Sequence, residues 1–225
     1  MDSNTKIVID FDSTFVKLEG LEELAKIALR DNPNKLLIIR EIEKITNEGM
    51  SGKISFEESL ESRLKLFKSN KDDVSELINL LQNNVSDSVE RNKSFFNDYA
   101  TNIYIISGGF DDWILPIVLE FGLKENNVLS NKFIYDQNGN IIGVDKSIPL
   151  TKSGGKTQCV KDLHLSGNKI MIGDGFTDYE VKKNGIVDKF ILYTENVHRK
   201  ELDISADHVS SSWDDVINEL NLIKT

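Results

Sequence analysis

The stretch Ile7-Val8-Ile9-Asp10-Phe11-Asp12-Ser13-Thr14 decides the fold. Ile7, Val8 and Ile9 are β-branched and uninterrupted, the composition of a strand buried on both faces of a parallel sheet. The run ends abruptly in two carboxylates with one residue between them. Open α/β sheets bind ligands outside the carboxyl ends of their strands. Two residues apart on an extended chain, Asp10 and Asp12 return to one face, and a cation, or a phosphoryl group with its metal, relieves their mutual repulsion. A strand that simply ends in a polar turn reads the same way, so the rest of the chain has to decide.

Beyond Thr14 the periodicity turns helical. Leu21, Leu24, Ala25 and Ala28 recur at helical spacing, and Leu36, Ile39, Ile42 and Ile45 continue a similar stripe. Ser55-Phe56-Glu57-Glu58 has the form of a capping box, with Leu60, Leu64 and Phe67 on the apolar side of the helix it opens. Val74, Leu77, Ile78 and Leu81 give a further helix, and one helix from Ser88 to Tyr99 leads out of the block. Strands follow at Asn102–Ile106, ending in Ser107-Gly108-Gly109, at Lys169–Ile172, ending in Gly173-Asp174-Gly175-Phe176-Thr177-Asp178, at Phe190–Tyr193, and at His208-Val209. Helices over 111–121, 156–163 and 213–223 separate or follow them. Asn138-Gly139 between Phe133-Ile134-Tyr135 and Ile141-Ile142 signals a hairpin. This alternation indicates an α/β protein with a Rossmann-like, doubly wound parallel sheet core, residues 1–15 and 86–225, and an inserted helical cap, residues 16–85.

The chain has 225 residues, 39% of them hydrophobic, enough for a substantial core. Its formal charge of −10 argues against a nucleic-acid or anionic-membrane surface, which requires a basic patch. The single cysteine, Cys159, rules out an internal disulfide and suits a core thiol in a reducing compartment. No signal-peptide core and no apolar run of about 18 residues is present, so a cytoplasmic protein is expected. On that expectation the sequons at Asn84 and Asn92 carry no glycan.

Parallel strands deliver Asp10 and Asp12, Ser107 and Gly108, and Asp174 and Asp178 to one rim. Carboxylates from two strands make an oxygen-rich pocket suited to Mg²⁺, which leaves room for a substrate phosphate. Ser107 and the amides of Gly108 and Gly109 are placed to donate to phosphate oxygens, and Lys156, opening a later helix, can reach the same anion.

Read together, these residues resemble the haloacid dehalogenase superfamily and, within it, the phosphoserine phosphatases, over nearly the whole chain. Asp10-Phe11-Asp12-Ser13-Thr14 looks like the first motif, DxDxT, and Ser107-Gly108-Gly109-Phe110 like the second. Lys156 falls where the third motif's lysine belongs, and Gly173-Asp174-Gly175-Phe176-Thr177-Asp178 resembles the fourth, GDGxxD. Glu19, Met50, Phe56 and Arg63 stand at positions like those of the family's phosphoserine-binding residues. The resemblance implies hydrolysis of phosphoserine through an aspartyl-phosphate, the last step of serine biosynthesis. Asp10 is then the nucleophile, Asp12 the general acid and base, and Asp10, Asp12 (through its carbonyl) and Asp174 the Mg²⁺ ligands. Ser107 and Lys156 stabilise the phosphate, Thr177 touches it, and Asp178 acts from behind Lys156. Phe56 and Arg63, seven residues apart on one helix, project in nearly the same direction, and a guanidinium there can fork onto a substrate carboxylate while Glu19 receives the ammonium.

Competing motifs fail on residue identity. A P-loop ending at Gly155-Lys156-Thr157 would need glycine at Leu150, a nucleophile elbow at Ser107 would need glycine at Ile105, and an EF-hand from Asp136 would need glycine at Ile141. His164, His198 and His208 are scattered, and Trp113 and Trp213 look like packing residues. Two other functions share these features: a phosphotransferase or phosphatase for another small amino-alcohol phosphate, and a non-catalytic binding module. The expected partner is a small molecule, with no nucleic acid or membrane, and the protein is expected as a monomer or homodimer.

Overall fold

The computed structural model describes residues 4–222. The first strand, β1 (Thr5–Ile9), is followed by α1 (Gly20–Ala28), α2 (Lys35–Met50), α3 (Phe56–Leu64) and α4 (Lys71–Gln82), then α5 (Asp87–Arg91) and α6 (Lys93–Asp98). The chain continues through β2 (Ile103–Phe110), α7 (Asp111–Leu119), β3 (Val128–Asn131) and the hairpin β4 (Phe133–Tyr135) and β5 (Ile141–Val144). It ends with α8 (Gly155–Asp162), β6 (Asn168–Gly173), α9 (Phe176–Lys183), β7 (Lys189–Tyr193), β8 (His208–Ser210) and α10 (Trp213–Leu222). The expected end of this last helix at Ile223 lies outside the described residues.

Six strands form one sheet in the order β3-β2-β1-β6-β7-β8, and every neighbouring pair is parallel. Crossovers run to one side of β1 and then to the other, which puts the topological switch point beside β1, where open sheets take their ligands. Successive residues of β1 face opposite ways: Ile7 and Ile9 join the apolar cluster on one face and Val8 joins that on the other. Both faces are covered, as the unbroken apolar run required. On the first face Phe15, Phe96, Phe121 and Trp213 meet edge to face or stacked.

Several local expectations are corrected. The exit helix is two helices broken at Asn92, whose side-chain amide donates to the Ser88 carbonyl and to Asp214. A side chain that satisfies helix carbonyls competes with the next turn. Strand β2 does not stop at Ser107 but continues to Phe110, which pairs with Asn131 after a register irregularity. Strand β3 was not expected at all: Val-Leu-Ser-Asn is short and only partly apolar, and it forms because β2 offers an edge. Leu36 is 73% exposed, whereas Ile39, Ile42 and Ile45 are buried. Steps of three residues lose about 60° of rotation each, so a four-member stripe drifts off its face. Only half of the capping box at Ser55 forms, with Ser55 Oγ accepting from Glu58 N, and the helix ends before Phe67.

The hairpin stands apart from the main sheet and turns through residues 136–140, where the Asp136 carboxylate accepts from the amides of Asn138 and Asn140. It also joins the helical insertion: Ile141 N donates to Ser69 O and Lys71 N to Gly139 O.

Helix α4 is held by a complete capping box in which Asn70 Oδ1 accepts from Asp72 N and Asp73 N, and the Asp73 carboxylate accepts from Asn70 N. Asn70→Ala is expected to cost about 1 kcal/mol, read as a lower urea midpoint with an unchanged slope.

Candidate active site

Three neighbouring strands, β1, β2 and β6, bring Asp10, Ser107 and Asp174 to one rim. Asp10, one residue past β1, is buried, and its Oδ1 accepts from the Phe11 amide at 2.7 Å. The same oxygen lies 2.8 Å from Lys156 Nζ. Lys156, in the first turn of α8, also lies 2.6 Å from Asp178 Oδ1, while Asp178 Oδ2 accepts from Gly175 N at 3.0 Å. Burial alone would depress the Lys156 ammonium, but Asp10 and Asp178 outweigh it and its pKa rises, so it stays charged. Asp178 is pushed up to about 7, first by burial and then by the charge of Asp10. A Cβ on Gly173 would fall 2.3 Å from the Asp178 carboxylate, so this crossing of β6 and α9 requires glycine.

Ser107 Oγ accepts from the Gly109 amide at 3.0 Å. The Gly109 amide is thus engaged by Ser107 here, and the serine proton remains available. Gly108 presents its bare backbone to the ring of Phe56, and a Cβ there would come within 2.4 Å of it.

Asp12 Oδ1 accepts from the Gly20 amide at the start of α1, at 3.0 Å. Burial, and then the charges of Glu19 and Asp10, raise its pKa well above the usual carboxylate range. Ser13 adopts a left-handed conformation, φ 54°, and its hydroxyl donates to Glu19 Oε1 at 2.7 Å. Asp10, Asp12, Glu19, Met50, Phe56, Arg63, Ser107, Gly108, Gly109, Lys156 and Thr177 line one cavity of about 30 Å³. A larger groove of about 1090 Å³ lies between the hairpin and residues 61–70, and none of the sequence-predicted site residues lines it.

One oxygen each of Asp10, Asp174 and Asp178 lies within 4.8 Å of the others. Asp174 is fully buried and its Oδ1 has no hydrogen-bond partner. Burial raises its pKa, opposed by Arg199 and reinforced by Glu19, Asp10 and Asp178. An orphaned buried carboxylate oxygen among other carboxylates fits a divalent metal that prefers oxygen ligands.

No protein-family model matches the chain. It is 30% identical to the chloroplastic phosphoserine phosphatase of Arabidopsis thaliana over 218 residues, 96% of this chain and 71% of that one. The chain belongs to the phosphoserine phosphatase family. A phosphoserine phosphohydrolase-like protein from Francisella tularensis is 30% identical, with a TM-score of 0.87 over 96% of this chain and 99% of its own. A phospho-aspartyl intermediate analogue of phosphoserine phosphatase shares the fold at a TM-score of 0.76 and 22% identity, over 96% of this chain and 98% of its own. Membership places the chain in the haloacid dehalogenase superfamily, whose phosphatases generally use a divalent metal.

Two residues of the site escape sequence reasoning. Arg199, buried beyond β7, donates from Nε to Asp174 Oδ2 at 3.1 Å and lies 3.9 Å from Glu19 and 3.4 Å from Asn47 Oδ1. It belongs to no motif; its only signal is a place after the carboxyl end of a rim strand. Asn131 donates to Gly108 O at 2.9 Å and Leu150 O at 3.3 Å, tying the loop before Lys156 to the Ser107-Gly108 segment. It was invisible because β3 was. None of the three histidines lines the cavity, and the buried Cys159 thiol is pushed up to about 11 by burial and by Asp162.

Glu22, beside this site, is pushed from 4.5 up to about 7 by burial and then by Glu19, against a hydrogen bond from Thr46 and the charges of Arg63 and Lys26. A carboxyl with a raised folded-state pKa contributes stability that is present below pH 4.5 and lost as pH rises through about 7. Glu22→Gln is therefore expected to raise the melting temperature at pH 8 by about 2 °C or more. The gain should vanish at pH 4.5, as differential scanning calorimetry would show.

Proposed function

We propose that the protein hydrolyses O-phosphoserine to serine and phosphate through an aspartyl-phosphate on Asp10, with Mg²⁺ as its metal. The observation that carries this is a single cavity in which Arg63 and Glu19 face Asp10, Asp12, Ser107 and Lys156. A guanidinium and a carboxylate suit the two charged ends of an amino acid, and the sheet-borne groups suit a phosphate.

Both donors to Asp10 sit on Oδ1, which leaves Oδ2 to attack phosphorus in line. Lys156 and the Ser107 hydroxyl stabilise charge on the equatorial oxygens, and Thr177 lies at the same wall. Asp12, kept protonated by burial, delivers its proton to the departing serine oxygen. It is then a carboxylate that takes a proton from the water attacking the aspartyl-phosphate, held meanwhile by the Gly20 amide. Asp178 fixes Lys156 from behind. Asp10, Asp174 and the Asp12 carbonyl would hold Mg²⁺, which would supply charge to offset the repulsion of carboxylate and phosphate.

Residues 16–85 act as a cap on the core formed by 1–15 and 86–225. The cavity of about 30 Å³ has room for one or two waters, so an amino-acid phosphate enters when the cap lifts and reacts when it closes. Cytoplasmic residence and a monomer or homodimer complete the proposal; no helix among the described residues is long and apolar enough to cross a membrane.

The direct experiment is phosphate release from a panel of phosphomonoesters with and without Mg²⁺. Phosphoserine should lead the panel and chelation should abolish release; preference for an amine-free ester would overturn the substrate assignment. Asp10→Asn should lower turnover by about three orders of magnitude or more, and near-normal turnover would refute the covalent step. Arg63→Ala should raise KM for phosphoserine while leaving KM for an aryl phosphate close to wild type.

A further inference from the structure

We infer that Thr46 is a positioning residue for substrate selection: its hydroxyl holds the Arg63 guanidinium in the orientation that receives a substrate carboxylate. The inference rests on the phosphoserine assignment and extends it to a residue outside the cavity wall. Arg63 is buried, 5% exposed, on α3. Its Nε donates to the Ser59 carbonyl within its own helix at 3.3 Å, and its Nη1 donates to Thr46 Oγ1 on α2 at 3.3 Å. Thr46, itself 3% exposed, has one proton, which the Ile42 carbonyl at 3.1 Å and the Glu22 carboxyl share. The hydroxyl therefore turns a lone pair, not a proton, toward the guanidinium.

Both partners are neutral. Glu19, Glu22 and Asp12 favour the Arg63 charge through space, but none of them is a direct hydrogen-bond partner of the guanidinium among the described residues, although a buried cation normally demands an ion partner. A carboxylate at position 46 would consume the fork in an internal ion pair; a threonine fixes the fork without occupying it with a charge of its own. The helices are already in register one turn away, where Ser59 Oγ donates to the Ile45 carbonyl at 3.3 Å and Gly49 leaves room for Ser59. Thr46 alone among the α2 residues reaches the guanidinium. Back-bonding to the i−4 carbonyl is a common resting state for a helical threonine, but it does not call for a buried guanidinium on the other side.

The test is the ratio of kcat/KM for phosphoserine to that for O-phosphoethanolamine, the same ester without the carboxylate. Thr46→Val keeps the shape and removes the hydroxyl; the ratio should fall about tenfold, mainly through KM, and Thr46→Ser should restore it to within about twofold of wild type. If Val at this position abolishes the cooperative melt, Thr46→Ala is read on the same ratio. A ratio that stays near wild type, a parallel loss on both substrates, or no rescue by serine overturns the role of Thr46. A wild-type enzyme with no preference for phosphoserine over phosphoethanolamine overturns the substrate assignment itself, and this inference with it.

Discussion

One buried ammonium, Lys156 Nζ, lies 2.8 Å from Asp10 and 2.6 Å from Asp178. The rest of the site is arranged around this contact. Desolvated carboxylates gathered at one point repel each other; a fixed cation between Asp10 and Asp178 offsets that repulsion. The cation is fixed by fold, because α8 carries Lys156, β1 delivers Asp10, and α9 turns Asp178 across Gly173. A second buried cation, Arg199, performs the equivalent service for Asp174 and leaves one of its oxygens without a partner. Carboxylates still outnumber cations at this point, which is the electrostatic reason that a divalent ion belongs there.

The two aspartates of the first strand end in different surroundings although they leave the same sheet. Asp10 is held by Lys156 and its neighbour's amide, whereas Asp12 is tied to Gly20, the first residue of α1. Burial and the charges of Glu19 and Asp10 push the Asp12 carboxyl up, and the Gly20 amide at the start of α1 opposes them. The backbone bonds from Ser69 and Lys71 to the hairpin fasten the far side of the helical insertion to the chain that follows β3. Between these two attachments Phe56 is laid on Gly108.

Much of this was legible in the residues. Ile7–Ile9 announced a strand buried on both faces because β-branched side chains without polar interruption suit no other place in a soluble sheet. The ends of three such strands gave the rim, because parallel strands must deliver their carboxyl ends to one side. Less was legible where an element owes its existence to a neighbour: β3 forms on the edge of β2, and the exit helix breaks at Asn92 through contacts to Ser88 and Asp214. Arg199 and Asn131 went unseen for the same cause, since each acts through segments distant in the chain.

The sequence by itself determined the fold class and which strand ends meet at the candidate site, because hydrophobic periodicity and residue type are local properties. Only the tertiary structure decided which oxygen of Asp10 is left free, that Asp12 faces Gly20, that the Gly109 amide donates to Ser107, and that Arg63 has neutral partners. Protonation and orientation depend on burial and on charges brought from other elements, and no local pattern contains them.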